Sequence, residues 1–202
     1  MSIKTAKTDY AIIPQITERW SPRAFADMPV EKEKILQLFE AARWAPSSIN
    51  EQPWRFIISF KGEEGYKAMF EGFNEWNQKW AWTAPVIVTT CVKKTFTKND
   101  SPNKHAWHDL GLAMGNLLAQ ATHLGLQVHQ MAGINTGILY KNLHINPDEY
   151  EIVTMFTVGY QNFDRLSELD EHYHESEKAI RTRKGLDEIL FQDKFGQDFD
   201  LK

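Results

Sequence analysis

The sequence predicts a single domain that mixes helices and strands. Three observations carry this reading. The chain has 202 residues, enough for one core that offsets chain entropy. Segments with helical apolar spacing alternate with β-branched runs along its length. No repeat, low-complexity tract or long linker interrupts them, so residues 1–202 read as one unit.

The elements follow in order. A first helix is predicted from Glu31 to Arg43, with Ile35, Leu36, Leu38, Phe39 and Ala42 as its apolar stripe and Pro46 beyond its end. Trp54 to Phe60 is rich in β-formers and reads as a strand. Glu63 to Trp82 is a helical, aromatic-rich stretch with a break near Gly72. Pro85 to Val92 is continuously apolar, as in a buried strand. The longest helix is predicted from Lys104 to Leu124. Gly125 ends it with a left-handed turn, and Leu126 packs back. Leu126 to Met131 reads as a short strand, Gly137 to Leu143 as a short helix and Glu151 to Val158 as a strand. From Asp164 the chain is polar and helical, with a last segment from Leu186 to Phe191. Taken alone, this α-β alternation fits a doubly wound parallel sheet. Yet no strand–helix junction carries the Gly-x-Gly-x-x-Gly turn of a dinucleotide-binding unit.

Composition excludes several classes. A formal charge of -4 argues against a dedicated nucleic-acid binder. The N-terminus lacks the apolar core of a secretory signal. No stretch approaches the roughly 20 apolar residues that span a bilayer. The single cysteine, Cys91, lies in an apolar strand and reads as a buried, inert thiol. A cytoplasmic location fits these features. His105 with His108 and His172 with His174 lack the carboxylate or Cys partners of a metal site, so none is expected.

Four segments have the residue types of a binding site. The first is Arg19-Trp20-Ser21-Pro22-Arg23, in which two guanidinium groups flank a hydroxyl. Arginine offers a planar fork of donors that matches phosphate oxygens; solvated surface arginines are the plainer reading. The second is Pro46-Ser47-Ser48-Ile49-Asn50-Glu51-Gln52-Pro53. Its prolines restrict the backbone, and its amides can meet a ring edge of alternating donors and acceptors. A locally capped loop is the alternative. The third is the basic run Arg181-Thr182-Arg183-Lys184, a second set of cations or a solvated helix start. The fourth is Met131-Ala132-Gly133 at a strand end, where glycine lets a backbone approach a ligand closely or simply makes a turn. The aromatic stretch Phe70 to Trp80 is packing or part of a pocket lid. In the long helix, Gly111, Gly115 and Ala119 form a ridge of small residues, costly unless another helix approaches it. That helix belongs to the same chain or to a second subunit.

Together these segments resemble the nitroreductase family of FMN-dependent, NAD(P)H-oxidising oxidoreductases. Arg19 to Phe25 is similar to its opening Arg-x-Ser-x-Arg-x-Phe motif. Pro46-Ser-Ser-Ile-Asn-Glu-Gln-Pro-Trp-Arg55 is the most specific match. His108-Asp109, Asn116-Leu117 and Leu124-Gly125-Leu126 follow its central helix, and Arg181 to Ile189 its C-terminal ending. Trp20 and Gly185 depart from the usual residues. The resemblance implies an α+β three-layer sandwich with a mostly antiparallel central sheet flanked by helices, and an obligate homodimer with FMN at the interface. It gives the phosphate and ribityl end to Arg19, Trp20, Ser21 and Arg23, completed by Arg183 with Arg181 or Lys184. It brings Pro46, Ser47, Ser48, Asn50 and Gln52 to the flavin from the other subunit, and lays Met131, Ala132 and Gly133 along the isoalloxazine. The flavin carries the redox chemistry, so no protein nucleophile is expected. NAD(P)H and a nitroaromatic, quinone or similar conjugated acceptor would alternate at one face in a ping-pong cycle. A flavin carrier or sensor, or dehalogenation or enoate reduction on the same fold, is the alternative.

Overall fold

The structure is a computed structural model and describes residues 4–200. Its centre is a four-stranded sheet. The strands are β1 (Trp54–Phe60), β2 (Val86–Lys93), β3 (Gln127–Met131) and β4 (Tyr150–Gly159). Their order is β1-β2-β4-β3, and every pairing is antiparallel. The alternation of elements therefore does not produce a doubly wound parallel sheet. The antiparallel α+β sandwich implied by the family resemblance is the fold observed.

The helices are α1 (Pro14–Glu18), α2 (Lys32–Arg43), α3 (Glu64–Phe70), α4 (Glu75–Ala81), α5 (Ala106–His123), α6 (Thr136–Asn142) and α7 (His172–Lys178). The break near Gly72 is real: a Cβ there would sit 2.3 Å from a Leu139 methyl group. Helix α1 has five residues and no buried side chain, so it leaves no apolar stripe to read. Beyond Asp164 the helical expectation holds only for α7 and for short 3-10 segments at Phe163–Glu168 and Leu186–Glu188.

Side-chain alternation in the strands builds two cores. Val86, Val88 and Val92 of β2 point to one face, packed with Leu38 of α2 and Leu110, Ala113 and Leu117 of α5. Ile87 and Cys91 point to the other, with Met69 of α3, Trp80 of α4, Leu139 of α6 and Tyr173 of α7. Cys91 is buried, and burial raises its thiol to about 11, as an inert core cysteine should be. The register slips between Thr90 and Cys91. There the Thr90 hydroxyl donates to the Thr154 carbonyl at 2.9 Å and accepts from the Thr154 N–H at 3.0 Å. A side chain thus supplies the bonds that a bulge removes from the ladder.

The sheet edge at β3 positions the first cationic segment. Phe25 makes an isolated bridge to Gln161, just beyond β4. Gly159 allows this approach, since a Cβ there would lie 2.9 Å from Phe25 and 2.8 Å from Pro85. On β3, His129 stacks on Trp80 with ring centroids 4.4 Å apart. Its Nδ1 lies 2.9 Å from the Pro22 carbonyl. A neutral ring protonated at Nδ1 donates that bond.

Burial is the main influence on His129, and the cations Arg23 and Arg19 add to it. Together they lower its pKa to about 4, against the opposing pull of the Pro22 carbonyl. In the unfolded chain it titrates near about 6.5. Folding therefore favours the neutral ring. This stabilisation is complete above about pH 6.5 and falls away toward pH 4, by about 3 kcal/mol in all. Urea unfolding at pH 7, 5.5 and 4.5 should show the loss, and His129→Gln should flatten it. An equally steep fall in that variant would place the acid sensitivity elsewhere.

Candidate active site

Residues 19–25 have irregular backbone pinned on three sides. The Trp20 N–H donates to the Gln127 side-chain oxygen at 3.2 Å. The Thr83 hydroxyl donates to the Arg23 carbonyl at 3.0 Å, and the Asn162 N–H to the Ala24 carbonyl at 3.1 Å. A fixed backbone presents Arg19 and Ser21 at low entropic cost. Arg19 reaches the Ser21 hydroxyl at 3.4 Å.

Arg19 meets the other end of the chain. With Arg181, Arg183 and Lys184 it lines one cavity of about 430 Å³, together with Thr8, Asp9 and Tyr10. Burial lowers the Arg19 pKa, and the charges of Arg181 and Arg183 lower it further. Arg181 is lowered in the same way, by burial and then by Arg183. Among the described residues none of these three guanidinium groups forms an ion pair. Cations gathered this closely repel one another, and a bound anion relieves the repulsion. Arg181 also ties down the C-terminal arm that carries it, after α7, donating to the Lys4 carbonyl at 3.0 Å and the Thr17 carbonyl at 2.8 Å. Lys184 reaches Glu188 at 4.0 Å.

Two residues of the first segment are placed otherwise than expected. The Trp20 ring is buried, stacked on Phe163 at 5.8 Å and covered by the Lys4 ammonium at 4.8 Å. It packs; it offers a ligand no face. Arg23 turns away from the arginine cluster. Its guanidinium pairs with the buried carboxylate of Glu177 at 3.2 Å and donates to Ser176 at 3.3 Å.

The end of β3 lies against α4. Met131 is buried, while Ala132 is exposed. The Gly133 carbonyl accepts from the Asn74 N–H at 3.1 Å and from the Asn77 amide at 2.9 Å. A Cβ on Gly133 would meet the Asn74 amide at 2.4 Å, so a larger residue here would displace the Asn74 and Asn77 side chains. A cavity of about 580 Å³ opens beside it, lined by Phe73, Asn74, Glu75, Gln78, Ile134 and Asn135 among others. The aromatic stretch splits its roles: Phe73 and Trp80 are buried, and Asn74, Glu75 and Gln78 between them line the cavity. Asn74 and Asn77 were not among the residues singled out from sequence. Their signal was the N-cap position of Asn74, whose side chain accepts from the Asn77 N–H at 2.9 Å.

The loop 46–52 sits elsewhere on the chain. Pro46, Ser47 and Ser48 line a shallow pocket with His105, His108, Asp109 and Leu112, and it shares no lining residue with the arginine cavity. Ile49, Asn50 and Gln52 all have positive φ, at 54°, 57° and 51°. For a β-branched residue this is a strained backbone that its surroundings must enforce. Buried Asp109 accepts from the Ser48 N–H at 3.0 Å, and the Ser47 hydroxyl accepts from the Gln52 N–H at 3.0 Å. The Gln52 amide is turned back onto the Asn50 carbonyl at 2.9 Å. Asp109 is thus a supporting residue that sequence reasoning had only as part of a helix motif.

Comparison with known proteins places the chain in a family. A profile of the nitroreductase family matches residues 16–71 and 61–160. A Streptomyces coelicolor protein named as an NADH dehydrogenase/NAD(P)H nitroreductase is 24% identical over 175 residues, covering 76% of this chain and 86% of its own. The FMN reductase [NAD(P)H] of Bacillus subtilis is 30% identical over 130 residues, which cover 57% of this chain and about half (51%) of that protein. Among solved structures, one described as an oxidoreductase containing FMN superposes with a TM-score of 0.88 at 31% identity, covering 96% of this chain and 98% of its own. A nitroreductase in complex with FMN from Desulfovibrio desulfuricans shares the fold, at TM-score 0.72 and 21% identity over 93% of this chain and 99% of its own. The chain belongs to the nitroreductase family of FMN-dependent, NAD(P)H-oxidising oxidoreductases.

Proposed function

We propose that this chain binds FMN as a homodimer and uses NAD(P)H to reduce a small conjugated acceptor such as a nitroaromatic or a quinone. The observation that carries the reading is the convergence of Arg19, Arg181 and Arg183 on one cavity with no ion-pair partner among the described residues. The donor set fits a phosphate-bearing group. Guanidinium forks and the Ser21 hydroxyl supply charge and directed hydrogen bonds, and a dianion offsets their mutual repulsion.

Arg19 and Arg183 would hold the phosphate, with Arg181 both a cation and a brace for the arm. Ser21 orients one donor beside Arg19. Met131, Ala132 and Gly133 would border the ring, with Asn74 and Asn77 holding the Gly133 carbonyl in place. The bound flavin would supply the two-electron chemistry, taking hydride from the nicotinamide and passing reducing equivalents to the acceptor. The sequence offers no second nucleotide-binding turn, so donor and acceptor would alternate at one place in a ping-pong pattern.

A second copy completes the site in this reading. The loop 46–52 and the arginine cavity are separate on one chain, so Ser48, Asn50 and Gln52 would come from the partner. The outer face of α5 supports this. A Cβ on Gly111 or Gly115 would find nothing within 4 Å among the described residues, so their ridge is not packed against them. Around it Trp44, Ile49, Trp107 and Leu112 are exposed, an apolar surface typical of an interface.

The pure protein should be yellow and hold one FMN per chain. Anaerobic NADH or NADPH should bleach it within the turnover time; a flavin that stayed oxidised would point to a carrier or sensor instead. Arg19→Gln and Arg183→Gln should each weaken FMN retention at least tenfold, on the order of 1.5–3 kcal/mol for a lost charged hydrogen bond, with unchanged circular dichroism. Full flavin content in both variants would remove the phosphate assignment. Gly115→Leu should turn a dimer into a folded monomer in sedimentation, because the space it fills on one chain is open. A dimer of undiminished stability would place the interface on another face.

A further inference from the structure

Arg23 is the one cation of the opening motif that is paired with a carboxylate among the described residues. Its backbone N–H and its guanidinium both donate to the Glu177 carboxylate, each at 3.2 Å. The Glu177 side chain is 1% exposed and that of Arg23 26%. The guanidinium also lies over the Tyr173 ring at 5.4 Å, and the Tyr173 hydroxyl donates to the Trp76 carbonyl at 3.0 Å. One edge of Arg23 is therefore fixed by α7, while its Nε is buried without a hydrogen-bond partner among the described residues.

Charge makes this pair unusual. Burial pushes the Glu177 carboxyl pKa up, opposed by its bonds to Arg23 and by the charge of Lys4. Lys4 is itself buried, and its ammonium donates to the Ser176 and Ala179 carbonyls at 2.8 and 2.7 Å. Arg23 also packs toward the elements that carry the Gly133 segment: the Tyr173 ring under its guanidinium is bonded to α4 through the Trp76 carbonyl, and the Pro22 carbonyl just before it is held by His129 of β3. An arginine there would favour the added negative charge of a reduced ring. A carboxylate held against the same guanidinium offsets that effect. It also keeps the side chain from joining the cluster of Arg19, Arg181 and Arg183.

We infer that Glu177 is a positioning residue, which holds Arg23 beside the ring end of the site and tempers its charge, so that it sets the reduction potential of the bound flavin. The inference rests on the FMN reading above. Its physical content is separate: a buried carboxylate on α7 controls a cation on the opening segment. A structural role alone would change stability and leave the potential where it was.

The test is the midpoint potential of the bound FMN in the holoprotein, measured by equilibration with reference dyes. Glu177→Gln keeps the hydrogen-bond acceptor and removes the charge, so the potential should move to a more positive value with FMN content intact. Glu177→Asp keeps the charge but withdraws it by one methylene, and should move the potential in the same direction by less. It also guards against a neutral variant that fails to fold. Arg23→Gln should move the potential to a more negative value. If Arg23→Gln shifts it and neither Glu177 variant does, the inference is overturned and the FMN reading stands. If all the variants leave the potential unchanged, Arg23 does not face the ring and the inference falls with that placement. If the wild-type protein takes up no FMN, the reading itself fails.

Discussion

The repulsion among Arg19, Arg181 and Arg183 is the constraint on which the site depends. Three guanidinium groups share one cavity, and the charged groups that act on Arg19 are both cations. Such an arrangement costs folding energy unless other forces hold it. The holding forces are visible. Arg181 is bonded to the carbonyls of Lys4 and Thr17, and Lys4 is bonded to the carbonyls of Ser176 and Ala179. The two ends are thus laced together by neutral carbonyls, and among the described residues no carboxylate forms an ion pair with the three arginines. Carbonyls hold the arm without neutralising it, so the charge is left for a ligand.

The sheet serves this arrangement through its edge. Strand β3 carries Gln127, which fixes the Trp20 N–H, and His129, which fixes the Pro22 carbonyl. A charged histidine at that place would add to the positive field of Arg19 and Arg23. Burial keeps it neutral instead. The same logic governs the other functional loop. Strain at Ile49, Asn50 and Gln52 is held by a buried acid on α5 and a serine hydroxyl. In both places a polar group from regular structure grips an irregular segment, as expected where precise placement matters more than local stability.

Much of this was legible in the sequence, for physical reasons that differ by element. Helix α2 and helix α5 could be placed because each buries a periodic stripe and ends at a recognisable residue, Pro46 beyond one and Gly125 after the other. Strand β2 could be placed because both of its faces are buried, which leaves a continuous apolar run. Strand direction could not be read this way: alternation of helices and strands is compatible with parallel and antiparallel sheets, and the family resemblance alone pointed to the latter. Helix α1 was silent because it buries nothing. Among the site residues, Arg19 and Arg183 were legible as guanidinium donors in short basic segments that match the family's motifs. Trp20 was not, because a residue flanked by two functional neighbours reads like them, while its ring serves the core. Asn74 offered only a helix-cap signal; Asn77 and Glu177 were hidden because their partners lie 56 and 154 residues away, and nothing local marks such contacts.

The fate of Arg23 shows why a motif is not a site. Arg19 and Arg23 stand four residues apart and share a chemistry, yet the fold gives them opposite surroundings. Arg19 is placed among cations and keeps its charge uncompensated. Arg23 is placed against Glu177, in a buried pair whose removal from water is costly and is repaid only by close geometry and added hydrogen bonds. Those bonds are present, from both the backbone and the side chain of Arg23. A bare cation and a tempered one, presented by a single pinned segment, suit the two ends of a ligand that differ in charge: a permanent dianion at one end and a ring whose charge changes at the other. Uniform cations would bind the first as well and would overstabilise the second. In the proposed reading, dividing the motif into two electrostatic environments would let one short segment serve both tight binding and reversible electron transfer.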